Sequence, residues 1–280
     1  MIHNIEQCTL RSEAVMSGPG LHTGEKCTVR LFPAPPGTGR VFVTSNGEIR
    51  AIVENVSDTR RETSLRNGSA EVHTVEHILA ALYGLGVDNA RIEVEGPEMP
   101  AGDGSALPFV EMIDRAEIIG QGVQADEIFI ENPVWINNAD KCMLATVADK
   151  FSIRSLITFA HPMIGEQAAC FDISAETFRR EIAPARTFCT SDEIEAILAQ
   201  GLGKGGNEEN VIVAYADRYS SPLRFSDEFV RHKILDVIGD LSLIGGRLRA
   251  DITAIRSSHT LNIALAKKIA KEATREQGGR

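Results

Sequence analysis

The chain carries one pattern twice, and the repetition narrows the folds open to it. Val75-Glu-His-Ile-Leu79, a glycine stop and Arg91-Ile-Glu-Val94 come first. Val230-Arg-His-Lys-Ile-Leu235, Gly245 and Leu248-Arg-Ala-Asp-Ile252 answer them in the second half. Each half offers β-favouring runs, a histidine-bearing helix and a further strand. That order of elements implies an α+β fold of two similar two-layer domains that face each other and bring His77 and His232 to a shared cleft. A length of 280 residues is enough for two ordinary domains. The segment Ile119 to Glu127, with Gly120, Gly122 and no clear periodicity, is the expected linker. It would divide residues 1–122 from 123–280.

The second helix carries the chemistry. Phe229, Val230, Ile234, Leu235, Val237, Ile238 and Leu241 recur at helical spacing. At about 100° and 1.5 Å per residue, His232 and Asp236 share one face, one turn apart, with Asp240 a turn further. A neutral imidazole and a carboxylate at i and i+4 suit a metal such as Zn²⁺. The same spacing serves an ordinary His–Asp pair on a solvated face, so the motif alone leaves both readings open. His77 would supply a third ligand, leaving a fourth position for water, and Glu76 beside it could accept a proton from that water. Thr74-Val-Glu-His77 also reads as a plain helix start, with Thr74 as N-cap and Glu76 favouring the helix dipole. Asp240 is placed to orient and charge a neighbouring imidazole. His259, in a serine-rich strand-to-helix turn, is either that imidazole or a cap.

Composition removes several classes. A net charge of -10 argues against nonspecific nucleic-acid binding. Five scattered cysteines without a CxxC spacing fit a reducing compartment and exclude a cysteine zinc site. The N-terminus lacks a basic region followed by an apolar run, and no apolar stretch nears ~18 residues, so a cytoplasmic protein without a transmembrane segment is expected. Gly201-Leu-Gly-Lys-Gly-Gly206 lacks the Lys-Ser/Thr ending of a phosphate loop. Further helices are expected at Pro108–Glu117, Ala175–Ile182 and Asp192–Ala199, then a strand at Leu248–Ala254. Beyond the last amphipathic helix, Lys267 to Arg280 reads as a solvated polar tail.

Six motifs, in order, carry a resemblance that covers nearly the whole chain. They are Gly20-Leu-His-Thr-Gly24, Thr74-Val-Glu-His77, Asp103-Gly-Ser-Ala106, Ala185-Arg-Thr-Phe188, the long run from Phe225 to Leu241, and His259-Thr-Leu-Asn262. Together they are similar to the zinc-dependent UDP-3-O-acyl-N-acetylglucosamine deacetylases of lipid A biosynthesis. The resemblance implies two domains of similar fold, each with a small insert, and Zn²⁺ on His77, His232 and Asp236. It implies Glu76 as general base and His259, held by Asp240, as the cationic acid at the oxyanion and the leaving amine. Thr187 would donate to the oxyanion, Lys233 would face the nucleotide phosphates, and Phe188 would wall the sugar nucleotide. The partner implied is a UDP-linked acylated amino sugar, and the enzyme is expected to act as a monomer.

Departures bear on the acyl group. After Phe188 the chain opens Cys189-Thr-Ser-Asp-Glu193, a polar mouth over Ile194, Ile197 and Leu198, of which Ile194 and Leu198 would line the acyl passage. Thr158 stands where relatives have Asp, and Arg256-Ser-Ser258 replaces Lys-Ser-Gly. Two histidines and a carboxylate also describe a non-haem iron oxygenase, and a sugar-nucleotide binder without turnover is a third reading. Glu76 and the Asp240–His259 pair speak for hydrolysis.

Overall fold

The computed structural model describes residues 5–272 and the backbone of 274–276. The fold is α+β. In the first half a five-stranded sheet runs in the order Ala14–Pro19, Lys26–Pro33, Ala90–Glu95, Arg40–Thr44, Gly47–Arg50. In the second half a seven-stranded sheet is built on Arg247–Ile255, which pairs antiparallel with Lys141–Val147 and parallel with Phe151–Thr158. Alternation decides which face is covered: Leu248, Ala250, Ile252 and Ala254 are buried, while the residues between them are only partly so.

Five helices matter for the site: α1 (Glu76–Gly84), α2 (Leu107–Ala116), α3 (Ile194–Ala199), α4 (Glu228–Leu241) and α5 (His259–Glu272). The two histidine-bearing helices, α1 and α4, pack directly against each other, and α4 and α5 lie on the seven-stranded sheet. Ile78, Leu79 and Leu82 of α1 share one continuous buried cluster with Ile234, Leu235 and Ile238 of α4. Side-chain burial on this scale is the main favourable term of the fold. The helix approach is close enough to exclude any side chain at Gly239, where a Cβ would lie 2.2 Å from the Glu76 carbonyl oxygen.

Each half adds a small sheet. Val56–Asp58, Ser64–Asn67 and Ala70–Val72 form the first. Phe188–Thr190 and Ile212–Ala214 pair in parallel to close the second around α3. This second pairing lacks a sequence signal, because three-residue strands are too short for periodicity.

Three expectations change. The supposed linker is largely a strand, Ile118–Gln124, which pairs antiparallel with Glu6–Leu10. Its glycines serve that pairing: Gly122 has φ +66°, and a side chain at Gly120 would strike Glu6. Thr74 is not a cap. It has φ 58°, the N-cap is Val75, and the Thr74 hydroxyl donates to carboxylates instead. The expected tail starts too early, since Lys267 to Glu272 continue α5 and bury Ile269 against the core. Thr274–Glu276 then pairs with Glu127–Phe129, and the rest of that tail lies outside the described residues.

Candidate metal and acid–base site

The N-terminal turn of α1 and the middle of α4 meet at one point. His77 and His232 stand edge to face with ring centroids 5.1 Å apart. Asp236 Oδ1 lies 3.5 Å from His232 Nε2 and 3.8 Å from His77 Nε2. His77, His232 and Asp236 are all buried, with one ligand atom from each within 4.8 Å of the others. Asp236 Oδ1 is buried and has no hydrogen-bond partner, a costly state for a carboxylate oxygen unless a cation meets it. His232 Nδ1 donates to the Ala185 carbonyl at 3.1 Å, which leaves the Nε2 lone pair directed at the centre. Two imidazoles and a carboxylate are a fitting donor set for zinc.

The protonation states suit metal binding, which needs neutral imidazole and ionised carboxylate. Burial, helped by His232, pushes His77 down to about 3. Burial also lowers His232, against the pull of Asp236. Burial alone would raise Asp236, but Lys233 and the three surrounding imidazoles outweigh it and hold the carboxyl far below its usual range. Lys233 Nζ makes the direct contact, 2.8 Å from Asp236 Oδ2.

Two further groups flank the centre. Glu76 is completely enclosed, and burial raises its carboxyl to about 8 although His259 opposes the shift. Its Oε2 accepts the Thr63 amide at 3.0 Å. His259 Nδ1 donates to Asp240 Oδ2 at 2.8 Å, and its Nε2 lies 3.9 Å from Asp236 Oδ2. Burial would lower His259, but Asp240 and then Asp236 overcome it and push the imidazole up to about 10. Asp240 is itself fixed by Thr63 Oγ1, donating at 2.6 Å, and Asn262 Nδ2, donating at 2.8 Å. A carboxyl of raised basicity and an imidazole held toward its cationic form flank one centre, which is an acid–base division of labour.

Neighbouring segments are pinned in turn. Arg186 Nε donates to the buried Glu228 Oε1 at 2.8 Å, tying the loop that supplies Ala185 to the start of α4. Thr187 follows, its amide donating to Gly104 at 2.8 Å and its carbonyl accepting from Ile212 at 2.9 Å. The Phe188 ring packs 4.6 Å from Phe229 and 5.5 Å from Phe159, with Lys233 Nζ 5.6 Å from its centroid. Ile194 and Leu198 stand one turn apart on α3, Ile194 partly buried and Leu198 50% exposed. So His77, His232, Asp236, Glu76, Asp240 and His259 converge, while Ile194 and Leu198 belong to the insert. Thr63 is absent from the sequence reading, and Asn262 and Ala185 appear there only within motifs, without a role. Asn262 lies three residues beyond His259, a helical spacing that could have raised it, whereas Thr63 gives no local signal.

Three metal-capable ligands beside a carboxyl and an imidazole of raised basicity define the centre of a metal-assisted hydrolase. Comparison with known proteins agrees. A family model described as UDP-3-O-acyl N-acetylglycosamine deacetylase matches residues 7–271. The chain belongs to that family. It is similar to the UDP-3-O-acyl-N-acetylglucosamine deacetylase of Anaeromyxobacter sp. (strain Fw109-5), 42% identical over 94% of this chain and 88% of that protein. The protein of the same description from Nostoc sp. (strain PCC 7120) is 42% identical over 95% of this chain and 98% of its own length. The bifunctional enzyme LpxC/FabZ of Chlorobaculum tepidum is 37% identical over 98% of this chain and 66% of its own. No helix among the described residues is long and apolar enough to cross a membrane.

Proposed function

We propose that this enzyme hydrolyses the acetamide of UDP-3-O-acyl-N-acetylglucosamine, releasing acetate in lipid A biosynthesis, with Zn²⁺ held by His77, His232 and Asp236. One observation carries the metal assignment: the buried, unpartnered Asp236 Oδ1 faces the Nε2 atoms of two neutral histidines. A zinc ion bound there lends Lewis acidity to the amide carbonyl and to the attacking water. Glu76 takes the water proton on its carboxylate as the C–O bond forms. The His259 imidazolium, charged by Asp240, stabilises the oxyanion and gives its Nε2 proton to the departing nitrogen as the C–N bond breaks. Thr187 adds a hydroxyl donor to the oxyanion. Lys233 leaves Asp236 Oδ2 to meet the nucleotide phosphates, and Phe188 walls the sugar. Ile194 and Leu198 line the acyl passage.

The enzyme acts as a cytoplasmic monomer without nucleic-acid partners. Its two domains, expected to divide between residues 122 and 123, divide just after that, at Ala125: Ile118–Gln124 pairs within the first half, and none of the pairs among the described residues joins strands before Ala125 to strands after it. Acetate release from UDP-3-O-acyl-N-acetylglucosamine, followed before chelation, after it and after restoring zinc, tests the proposal. Turnover that survives complete chelation, or that requires dioxygen, overturns it.

A further inference from the structure

A second metal-capable cluster lies outside the catalytic centre. His22, Glu62 and Glu98 each bring a ligand atom within 4.8 Å of the others. Their exposures are 8%, 6% and 0%, so the cluster is sealed from bulk water. His22 comes from the Gly20–Gly24 turn, Glu62 from the loop before Ser64–Asn67, and Glu98 from the loop after Ala90–Glu95. Among the described residues no lysine or arginine forms an ion pair with Glu62 or Glu98; the histidines His22 and His73 alone approach Glu62.

One atom in the cluster lacks a partner. His22 Nε2 is buried without a hydrogen-bond partner, stopping 4.0 Å short of Glu62 Oε2. The carboxylates beside it are held in place by other donors: Glu98 accepts from the His22 and Thr23 amides and the Thr23 hydroxyl, Glu62 Oε1 from Ser64 Oγ and His73 Nδ1, and the Thr74 hydroxyl lies 2.8 Å from Glu62 Oε2 and 2.9 Å from Glu98 Oε1. A carboxylate oxygen keeps a second lone pair after accepting one hydrogen bond, so preset carboxylates beside an idle buried imidazole nitrogen form a donor set that a divalent cation would complete. One nitrogen and two carboxylate oxygens are ligands of the hard-to-borderline kind.

We propose that His22 Nε2, Glu62 and Glu98 form a second divalent-cation site, structural rather than catalytic. The inference is independent of the reaction proposed above. Its position gives it a task. Glu62 precedes Thr63, which donates to both Glu76 and Asp240, and Thr74 precedes the Glu76–His77 pair. A cation here clamps both segments from behind and holds Thr74 in its φ 58° conformation. Coordination also moves a proton. His22 Nδ1 accepts a long hydrogen bond from the Gly203 amide at 3.3 Å. Coordination through Nε2 puts the ring proton on Nδ1, so the Gly203 amide must let go. The Gly203–Gly205 stretch also rests on His22 and Leu21 through the Lys204 and Gly205 amides, so site and loop are coupled.

The test is metal stoichiometry of the full chain, stripped by chelator and then dialysed against Zn²⁺ with a competing chelator that clears weak surface and thiol sites. Wild type should retain two equivalents. His22→Ala and Glu62→Gln should each retain one, and so should His77→Ala, which loses the catalytic equivalent instead. Glu62→Gln preserves side-chain volume, so it reports the stoichiometry even if His22→Ala fails to fold. One equivalent in wild type, or a second equivalent that survives both His22→Ala and Glu62→Gln, overturns the proposal. In His77→Ala, loading the remaining site should speed hydrogen exchange at the Gly203 amide. Binding without that change would refute coordination through Nε2.

Discussion

Replacing Gly239 by alanine tests how closely the chemistry depends on helix packing. The added Cβ would lie 2.2 Å from the Glu76 carbonyl oxygen and 3.0 Å from the Glu76 Cα. An ordinary contact of this kind is about 3.4 Å or more, so α1 and α4 must part by roughly 1 Å at that point. Overpacking of this type costs about 1–3 kcal/mol. At about 2–4 °C per kcal/mol for a chain of this size, the midpoint should fall by roughly 2–12 °C. The chain stays folded at 25 °C, because stabilities of this class exceed that loss. Activity should suffer more than stability. Glu76 opens α1, and a displacement near 1 Å at a reacting group lowers turnover by about 10²-fold. Thermal melts and steady-state acetate release, with metal content measured on the same sample, separate the effects. A normal kcat beside a lowered midpoint would confine Gly239 to packing and refute the argument that it positions Glu76.

Four further outcomes are expected. Glu76→Gln should keep the metal and lower kcat by about 10²–10⁴-fold, the range for loss of a general base; parallel loss of metal would show that it holds a ligand instead. In the pH–rate profile the protonated His259 is the active form, so activity falls as pH rises through its pKa of about 10. Asp240→Asn should move that descending limb to lower pH, and an unmoved limb would remove His259 from the acid role. Arg186→Met strands the buried Glu228 and should cost about 3–5 kcal/mol by urea titration, most of it recovered when Glu228→Leu is added; a loss under 1 kcal/mol would contradict the pair's burial. Ile194→Trp should penalise long acyl chains more than short ones, with up to ~0.8 kcal/mol at stake per excluded methylene; equal losses across chain lengths would move the acyl passage elsewhere.

Much of the centre was legible because helices write their geometry into spacing. His232, Asp236 and Asp240 could be placed on one face from the 3.6-residue period alone, and the repeated pattern around His77 pointed to the third ligand. Contacts set by strands and loops left no such trace. Thr63 reaches Glu76 and Asp240 because a small sheet carries it there, and no periodicity links it to either. Reading Ile119 to Glu127 as a linker, where the strand Ile118–Gln124 runs, has a similar cause. Two glycines break its alternation, and its partner strand, Glu6–Leu10, lies at the far end of the first half, with a shifted register between Glu6 and Cys8. Thr74 mimics a cap in sequence, yet Glu62 and Glu98 compete successfully for its hydroxyl.

The continuous cluster shared by α1 and α4 has a consequence for biosynthesis. During translation at about 5–20 residues per second, α1 emerges many seconds before α4. Through that interval Ile78, Leu79 and Leu82 lack the surface that will cover them, and His77 waits without either of its co-ligands. The nascent first half is therefore sticky and unable to assemble the catalytic metal site. Chaperone demand should peak while the second half is being made and end once α4 leaves the ribosome.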